Sequence, residues 1–485
     1  MKKWISLLMV GLLLCSCTLA QAESEWDKAF AAGGLRLEKV QTDLILQSVE
    51  KISGAVEYVE ELGLSSELGV SFKKTEDGKM YFLDTTPVHM QMIMEQFGGY
   101  RVLSVSPDGA LLINFGGTPA ILRNKKITLL APTASRGVQD EYGKIERFLK
   151  LFLQAANMPA RGGVIWSPNG RYLSFSHEKL LLEQAKLDID PMLVDTWTGE
   201  LFLIATFPRS LAKGGGAMAQ GAFDASGRKF YYTVYGGDSG AKSTVYCYDL
   251  LSRKTELICE SENYSYFADL IVAGSGELFS VSSMQKRDQF VGLNRFTPTS
   301  SGWKYSHIPF DRAIGDIWSR QVCYSPVTDQ ALIVGQGYYT GNANMLIKVD
   351  LKNIPQTLNE YWIIENGNSK QATKWNWDMP ISAETTMADL NQMLAKKMLN
   401  LQAVTLSPDG QYAFIATATM GVVDYFLLRL SDMALCKVKV PDEMMELSNL
   451  IAAQRGQFLP VAAWNPDGSL LAFGDQGQPV LYQLK

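Results

Sequence analysis

Val105-Ser106-Pro107-Asp108-Gly109 returns three times, as Trp166-Ser167-Pro168-Asn169-Gly170, Leu406-Ser407-Pro408-Asp409-Gly410 and Trp464-Asn465-Pro466-Asp467-Gly468. Proline presets φ at the second turn position, Asp or Asn caps the turn with its side chain, and Gly accepts the positive φ of the last position. Short apolar stretches rich in aromatics flank each copy, so each reads as the tight turn of a β-hairpin. Degenerate copies at Phe223-Asp224-Ala225-Ser226-Gly227, Ala273-Gly274-Ser275-Gly276 and Tyr324-Ser325-Pro326-Val327-Thr328 bring the number to seven. Counted from the last residue of each copy, the spacings are 61, 57, 49, 52, 82 and 58 residues. A four-stranded propeller blade needs roughly 40 to 50 residues. A second hairpin follows most copies, such as Met192 to Leu201 around Thr198-Gly199, or Val245 to Asp249 returning through Thr255 to Ile258.

The 485 residues carry 50 acidic and 45 basic side chains, a net charge of -5, with 47% hydrophobic and 20% charged. That balance excludes disorder for most of the chain, and the absence of a basic excess excludes nucleic acid or anionic lipid as partners. At the N-terminus Lys2 and Lys3 precede an apolar run from Trp4 to Leu14, followed by Ala20-Gln21-Ala22. This reads as a secretory signal peptide cleaved after Ala22. Leu14-Cys15-Ser16-Cys17 offers an alternative lipoprotein box, with Cys17 as the lipidated first residue. No later segment is long and apolar enough for a transmembrane helix, so the expected location is periplasmic or extracellular.

The turns resemble the TolB-type, WD-like β-propeller repeats of exported bacterial proteins, from about Arg101 to the C-terminus. The resemblance implies an all-β propeller. The repeats predict a seven-bladed ring with helical insertions on one face, from three segments: signal peptide 1–22, helical lead segment 23–69 and propeller 70–485. After Gly468 the chain holds only two further strands, so the stretch 70–84 is expected to pair near Leu481 to Leu484 and close the ring. Thr75-Glu76-Asp77-Gly78-Lys79 is a faint further turn, which makes eight blades the alternative, although it lies only 31 residues before Gly109.

Antiparallel alternation puts the first-to-second and third-to-fourth strand turns of every blade on one face, and the remaining connections on the other. Surplus residues at 134–160, 177–190, 207–219, 367–400 and 441–457 all fall on the second face, where long loops carry function. Ile145, Phe148, Leu149 and Phe152, then Met387, Leu390 and Leu394, then Met444, Leu447 and Ile451, recur at helical spacing. Such stripes either pack onto the propeller or form a cap for a partner. Leu37 to Leu62 has the same periodicity and is expected to be helical.

The chemistry-bearing constellations are sparse. His89, His177 and His307 are scattered, and neither a zinc motif, a nucleophile elbow nor a phosphate loop occurs, so no cofactor, metal or catalytic residue is expected. Arg101, Gln220, Asp269, Arg320 and Gln402, with Arg161 one step earlier, open the innermost strands. They either line a water-filled channel or hold a small anionic ligand at its mouth. Trp375 and Trp377 lie in the longest insertion, as pins or as aromatic anchors for protein or carbohydrate. Cys247 and Cys259 sit symmetrically about one hairpin turn and are a candidate disulfide.

The expected function is a non-enzymatic, exported propeller binding an envelope or extracellular protein, a peptide or a glycan through its insertion-bearing face. The alternative is a lactonase-like propeller hydrolase with a channel-mouth site. The absence of a histidine from every turn copy counts against it.

Overall fold

The computed structural model describes residues 25–39, 51–53, 55–56, 72–74, 80–82, 100–115, 118–130, 165–181, 186–199, 201–204, 207–210, 220–235, 243–260, 266–283, 292–310, 317–337, 344–358, 361–365, 368–372, 400–419, 422–442, 461–464, 466, 468, 470–473 and 480–484. Six sheets are built on antiparallel meanders of four consecutive strands each. Sheet 1 is built of Tyr100–Val105, Leu111–Phe115, Thr118–Arg123 and Lys126–Leu129, with Lys51–Ser53 added at its edge parallel to the last of these. Sheet 2 is Ile165–Trp166, Tyr172–Leu181, Lys186–Asp195 and Leu201–Leu203. Sheet 3 is Gln220–Phe223, Lys229–Tyr235, Ser243–Asp249 and Lys254–Glu260. Sheet 4 is Tyr266–Val272, Leu278–Ser283, Gly292–Thr299 and Gly302–Pro309. Sheet 5 is Ile317–Ser325, Gln330–Gly337, Asn344–Asp350 and Tyr361–Glu365, with Asn368–Ala372 added at its edge. Sheet 6 is Asn400–Leu406, Tyr412–Thr419, Val422–Arg429 and Ala434–Lys437. A closing sheet joins Val461–Trp464, Leu470–Phe473 and Val480–Leu484 to the N-terminal strand Leu37–Lys39.

From sheet 2 onward the first strand of each sheet lies against the first strand of the next, and that of the closing sheet returns to sheet 1. Sheets 1 and 2 are joined by Trp166, whose Nε1 donates to Ser104 Oγ at 2.9 Å. The chain is a β-propeller. Separate apolar layers fill the spaces between sheets: Phe230 and Tyr232 between sheets 2 and 3, Phe267 and Phe296 between 3 and 4, Ile333 and Ile347 between 4 and 5, Ile415 and Phe426 between 5 and 6. Phe414, Tyr425 and Trp464 lie between sheet 6 and the closing sheet.

The tight turns do more than reverse the chain. Gly109, Gly170, Gly227, Gly276, Gly410 and Gly468 have φ between +66° and +82°, as the motif requires. Their missing side chains are also used. A Cβ on Gly170 would overlap the Asp108 carboxylate of the preceding sheet, one on Gly410 would overlap Ser325 Oγ, and one on Gly227 would lie 3.1 Å from the Asn169 amide. Around the closure, the Gly109 position lies 3.4 Å from Pro466. Arg123 fastens the first of these contacts, donating to Asp108 Oδ2 at 3.0 Å and to the Gly170 carbonyl at 2.7 Å. Burial works to raise the Asp108 pKa, but hydrogen bonds from Ser106 and Arg123 and the Arg123 charge outweigh it and hold the carboxyl below its usual range. The degenerate fifth turn is one residue longer: Asp329, not Thr328, takes the left-handed position (φ 57°), and its Oδ1 accepts from Tyr324 Oη at 2.8 Å and the Gly274 amide at 3.1 Å. The tryptophan of the turn motif recurs as an inter-sheet donor, with Trp464 Nε1 reaching the Thr405 carbonyl at 3.1 Å.

Several expectations are corrected. The strand that completes the closing sheet is Leu37–Lys39, paired with Tyr482 to Leu484, and not the stretch 70–84. Phe72–Lys74 and Met80–Phe82 instead form a small sheet with Ala55–Val56. The described parts of 37–62 are strands rather than a helix, because Leu37 is buried against the open edge and the backbone groups there are satisfied by pairing. Among the described residues the one helix is Glu25–Ala32. The surplus at 177–190 is a strand extension: Tyr172–Leu181 and Lys186–Asp195 pair along their full length, and Phe207–Ser210 adds a third strand against Lys186 to Ile189. The insertions at 134–160 and 373–399 and most of 441–457 lie outside the described residues.

The N-terminal segment is stitched down by more than one strand. Leu37 N donates to the Lys439 carbonyl at 2.8 Å, Lys439 N donates to the Leu35 carbonyl at 2.9 Å, and the Arg429 guanidinium lies 4.7 Å over the Phe30 ring. Leu35 is 1% exposed. Leu35→Ala should therefore lower the unfolding free energy by about 2 to 5 kcal/mol in chemical denaturation. An unchanged midpoint would show that this segment does not hold the ring closed.

Candidate functional site

Of the residues nominated from the sequence, Arg101 and Gln220 fall at the beginning of their strands, while Asp269, Arg320 and Gln402 lie three or four residues into theirs. Arg101 lies opposite Asn114, and Gln220 opens its strand opposite Thr233. Asp269, Arg320 and Gln402 share a more specific feature. Register jumps from Ala268 to Leu270, from Ser319 to Gln321 and from Leu401 to Ala403, so each of the three is the extra residue of a β-bulge in the first strand of its sheet. Sheets 4, 5 and 6 are consecutive, so the three bulges sit on neighbouring strands at the inner side of the ring. A bulge bends its strand and re-aims side chains, which is why bulges recur beside binding sites. Sheet 1 has the same irregularity at Leu103, between Val102 and Ser104. Arg161, Trp375 and Trp377 lie outside the described residues.

Asp269 has φ 45°, a left-handed conformation uncommon for a residue with a side chain. Such conformations persist where the surroundings enforce them and are concentrated at functional sites. Its carboxylate acts on Cys323 of the neighbouring first strand: burial first, and the Asp269 charge second, push that thiol up to about 12. Cys323 is thus a neutral thiol, donating to the Val404 carbonyl at 3.3 Å. It is a packing group, unsuited to nucleophilic chemistry.

Neither described histidine lies on these inner strands. His177 stands in the strand extension of sheet 2, opposite Asp190. His89 is outside the described residues. His307 belongs to the outermost strand of sheet 4, where its Nδ1 lies 3.1 Å from Asn294 Oδ1, which also accepts the Tyr305 hydroxyl at 3.0 Å. His307 Nε2 and the fully buried Asn294 Nδ2 have no hydrogen-bond partner among the described residues. A Cβ on Gly292 would lie 2.8 Å from that Nε2, so glycine there makes room for the imidazole. No sequence motif announces this cluster, since its members meet by cross-strand register. Among the described residues no group of three or more His, Cys, Asp or Glu could hold a metal ion.

Cys247 and Cys259 of the sheet 3 hairpin are not joined in a disulfide. A bulge between Val245 and Tyr246 shifts the register, so Cys247 faces Glu256 and Cys259 faces Val245. Both still join the apolar layer toward sheet 4. The hairpin symmetry expected from the sequence is broken by this extra residue.

No protein-family model matches the chain, and no curated protein does. Solved structures to which it is similar include TolB from Acinetobacter baumannii (11% identity, TM-score 0.36, covering 83% of this chain and 95% of that one). The β-propeller domain of the Trilobed protease from Pyrococcus furiosus is 10% identical, with TM-score 0.39, over 79% of this chain and 91% of the other. An oligogalacturonate lyase in complex with manganese is 11% identical, with TM-score 0.43, over 86% and 96%. The likeness is one of fold. The propeller architecture does not by itself indicate an activity.

His307 sets a pH dependence that can be measured. Burial lowers its pKa below the ordinary 6.5. Between the unfolded value and the lower folded one the unfolded chain binds the proton and the folded chain does not, so stability falls as pH drops through this window. His307→Gln should flatten the fall in unfolding free energy below pH 6.5 relative to the parent protein. Parallel curves for the two proteins would show that the buried imidazole titrates normally.

Proposed function

We propose that the protein is an exported, non-enzymatic binding propeller whose partner, an envelope or extracellular protein, a peptide or a glycan, docks on the face opposite the tight turns. On this reading the ring has seven blades, the closing sheet being the seventh. The observation that carries the proposal is the run of bulges at Asp269, Arg320 and Gln402 on three neighbouring first strands, with Asp269 in a left-handed conformation. Irregularities of this kind are maintained at binding sites, and acidic, basic and amide side chains together suit a polar ligand group at the channel mouth. The extension of sheet 2 adds to the same face: six residue pairs, from Ser176 opposite Pro191 to Leu181 opposite Lys186, continue beyond the pairing with the sheet's fourth strand. At about 3.3 Å per residue this ribbon projects roughly 20 Å, a natural side wall for a docked partner.

The hydrolase reading is less well supported. A channel-mouth hydrolase needs a base beside its carboxylate and arginine. His177 sits out on the projecting ribbon, and Cys323, on which the Asp269 charge acts, is held neutral.

The proposal is tested with the full-length protein as bait in a native envelope extract, alongside Asp269→Ala with Arg320→Ala and a variant lacking residues 367–400. Capture of one species by the parent protein, weakened about tenfold or more in both variants, is the expected result. Equal capture by all three, or turnover of a lactone panel that Asp269→Ala abolishes, would contradict it.

A further inference from the structure

Sheet 4 ends at the rim of the ring in Gly302–Pro309, which pairs with Gly292–Thr299 along its whole length without a bulge. No strand lies on its outer side among the described residues. An unpaired edge is a template for another chain, and natural sheets blunt their edges with short strands, bulges or charges. The other outer strands carry such devices. Those of sheets 1, 2, 5, 6 and the closing sheet are three to five residues long among the described residues. That of sheet 3, Lys254–Glu260, contains Lys254, Glu256 and Glu260 and has an extra residue, Ile258, between the partners of Val245 and Tyr246. Gly302–Pro309 is longer and regular, and Lys304 is its one acidic or basic residue apart from His307.

The side chains of this strand alternate between two faces. Trp303, Tyr305 and His307 turn toward sheet 3: the Tyr305 ring lies 5.6 Å from Phe296 and 6.3 Å from Phe267, and the Trp303 ring meets Tyr231 edge-on at 6.1 Å. Tyr305 nonetheless remains 45% exposed, with its hydroxyl fixed on Asn294 Oδ1. Lys304, Ser306 and Ile308 turn toward sheet 5, where Ile308 joins the layer of Ile333 and Ile347. Arg295, opposite Ser306 in the same sheet, is taken up by Glu277 through two hydrogen bonds of 2.9 Å. One end of the edge is closed, because the Pro309 carbonyl accepts from Leu358 N at 3.0 Å. The open stretch is therefore Gly302 to Ile308.

We infer that this edge pairs with the same edge of a second copy of the chain, antiparallel about a two-fold axis through Tyr305, so that two four-stranded sheets become one of eight strands. An axis perpendicular to the sheet keeps every side chain on its own face, so opposed residues have the same parity. Centred on Lys304, the pairing would set two lysines directly opposite each other, which is destabilising. Centred on Ser306, it would set Trp303 opposite Pro309, which has no N–H to donate and whose carbonyl is already taken. Centred on Tyr305, it uses the whole open stretch: Tyr305 opposes itself, Trp303 opposes the second copy's His307, and Lys304 opposes the second copy's Ser306. Aromatic pairs of this kind stabilise adjacent strands, and here the exposed Tyr305 ring is covered by its own equivalent. A foreign strand would find the same backbone groups, but the sequence of this edge already supplies a match for each of its side chains. The contact is isologous and consumes both edges, so assembly stops at two copies.

Analytical ultracentrifugation of the full-length protein across a dilution series tests this, and a monomer–dimer equilibrium is the expected result. Ser306→Lys places like charges opposite each other twice across the two-fold axis and should weaken the dimer about tenfold. Adding Lys304→Glu to that variant turns both into opposite-charge pairs and should restore the parental affinity or exceed it. Near-ultraviolet circular dichroism of the dilute variants should match that of the parent, and Asp269→Ala with Arg320→Ala, on inner strands, should dimerise normally. A monomer at every concentration, which would leave the edge to a foreign strand, overturns the inference. So does a dimer indifferent to Ser306→Lys, or a weakening that Lys304→Glu does not reverse.

Discussion

The structure depends on a contact between turns of successive sheets. Each Ser-Pro-Asp-Gly copy fixes its own hairpin, yet the space left by the Gly170 hydrogen is filled by Asp108, and that at Gly410 by Ser325. A propeller blade makes no backbone ladder with its neighbours, so its angular position must be set by side chains between sheets. Apolar layers supply most of the area, but they are non-directional. The turn contacts and the Trp166 and Trp464 hydrogen bonds are directional, and they lie at the inner strands, where a small error in angle would keep the ring from closing. The closure repeats the pattern, with Pro466 beside Gly109, so the C-terminal turn meets the first as the turns before Gly170, Gly227 and Gly410 meet theirs.

This explains what was legible in the sequence. The turns were readable because Pro, Asp and Gly are demanded locally by φ and by side-chain caps, without reference to the remainder of the chain. The closing strand was not. Leu37–Lys39 is three residues long, and the spacing of Leu37, Val40 and Leu44 suits a helical period as well. What decides it is the unpaired edge of Val480–Leu484, a tertiary fact. The surplus of 177–190 was located correctly but its form was missed: Leu187 and Ile189 alternate in the way of a strand, within a stretch too long for an ordinary blade. Bulges leave still less trace, since one extra residue shifts parity without any turn signature. The polar residues at the strand starts were found from their position, while the irregular backbone that singles out Asp269, Arg320 and Gln402 needed the register.

The two faces of the disc are built differently. One carries the tight turns, where Asp195 and Asp249 serve their own turns while Asp108 and Asp329 reach the neighbouring sheet. The other receives the strand starts, their bulges and the sheet 2 ribbon. Neither face presents a titrating histidine beside a carboxylate and an arginine among the described residues. The proposed ligand site takes its rigidity from the packing of one sheet's turn on the next.

A double-mutant cycle on Asp108 and Gly170 tests that source most directly. Gly170→Ala introduces both a left-handed alanine, costing about 1 to 2 kcal/mol, and an overlap with the Asp108 carboxylate. Asp108→Ala removes the second partner and loses its own bonds to Ser106 and Arg123. If turn-to-turn packing sets the ring, Gly170→Ala will cost at least about 1 kcal/mol less in the Asp108→Ala background than in the parent protein. Equal costs in the two backgrounds would mean that Gly170 serves only its own turn, and that the sheets are positioned by their apolar layers alone.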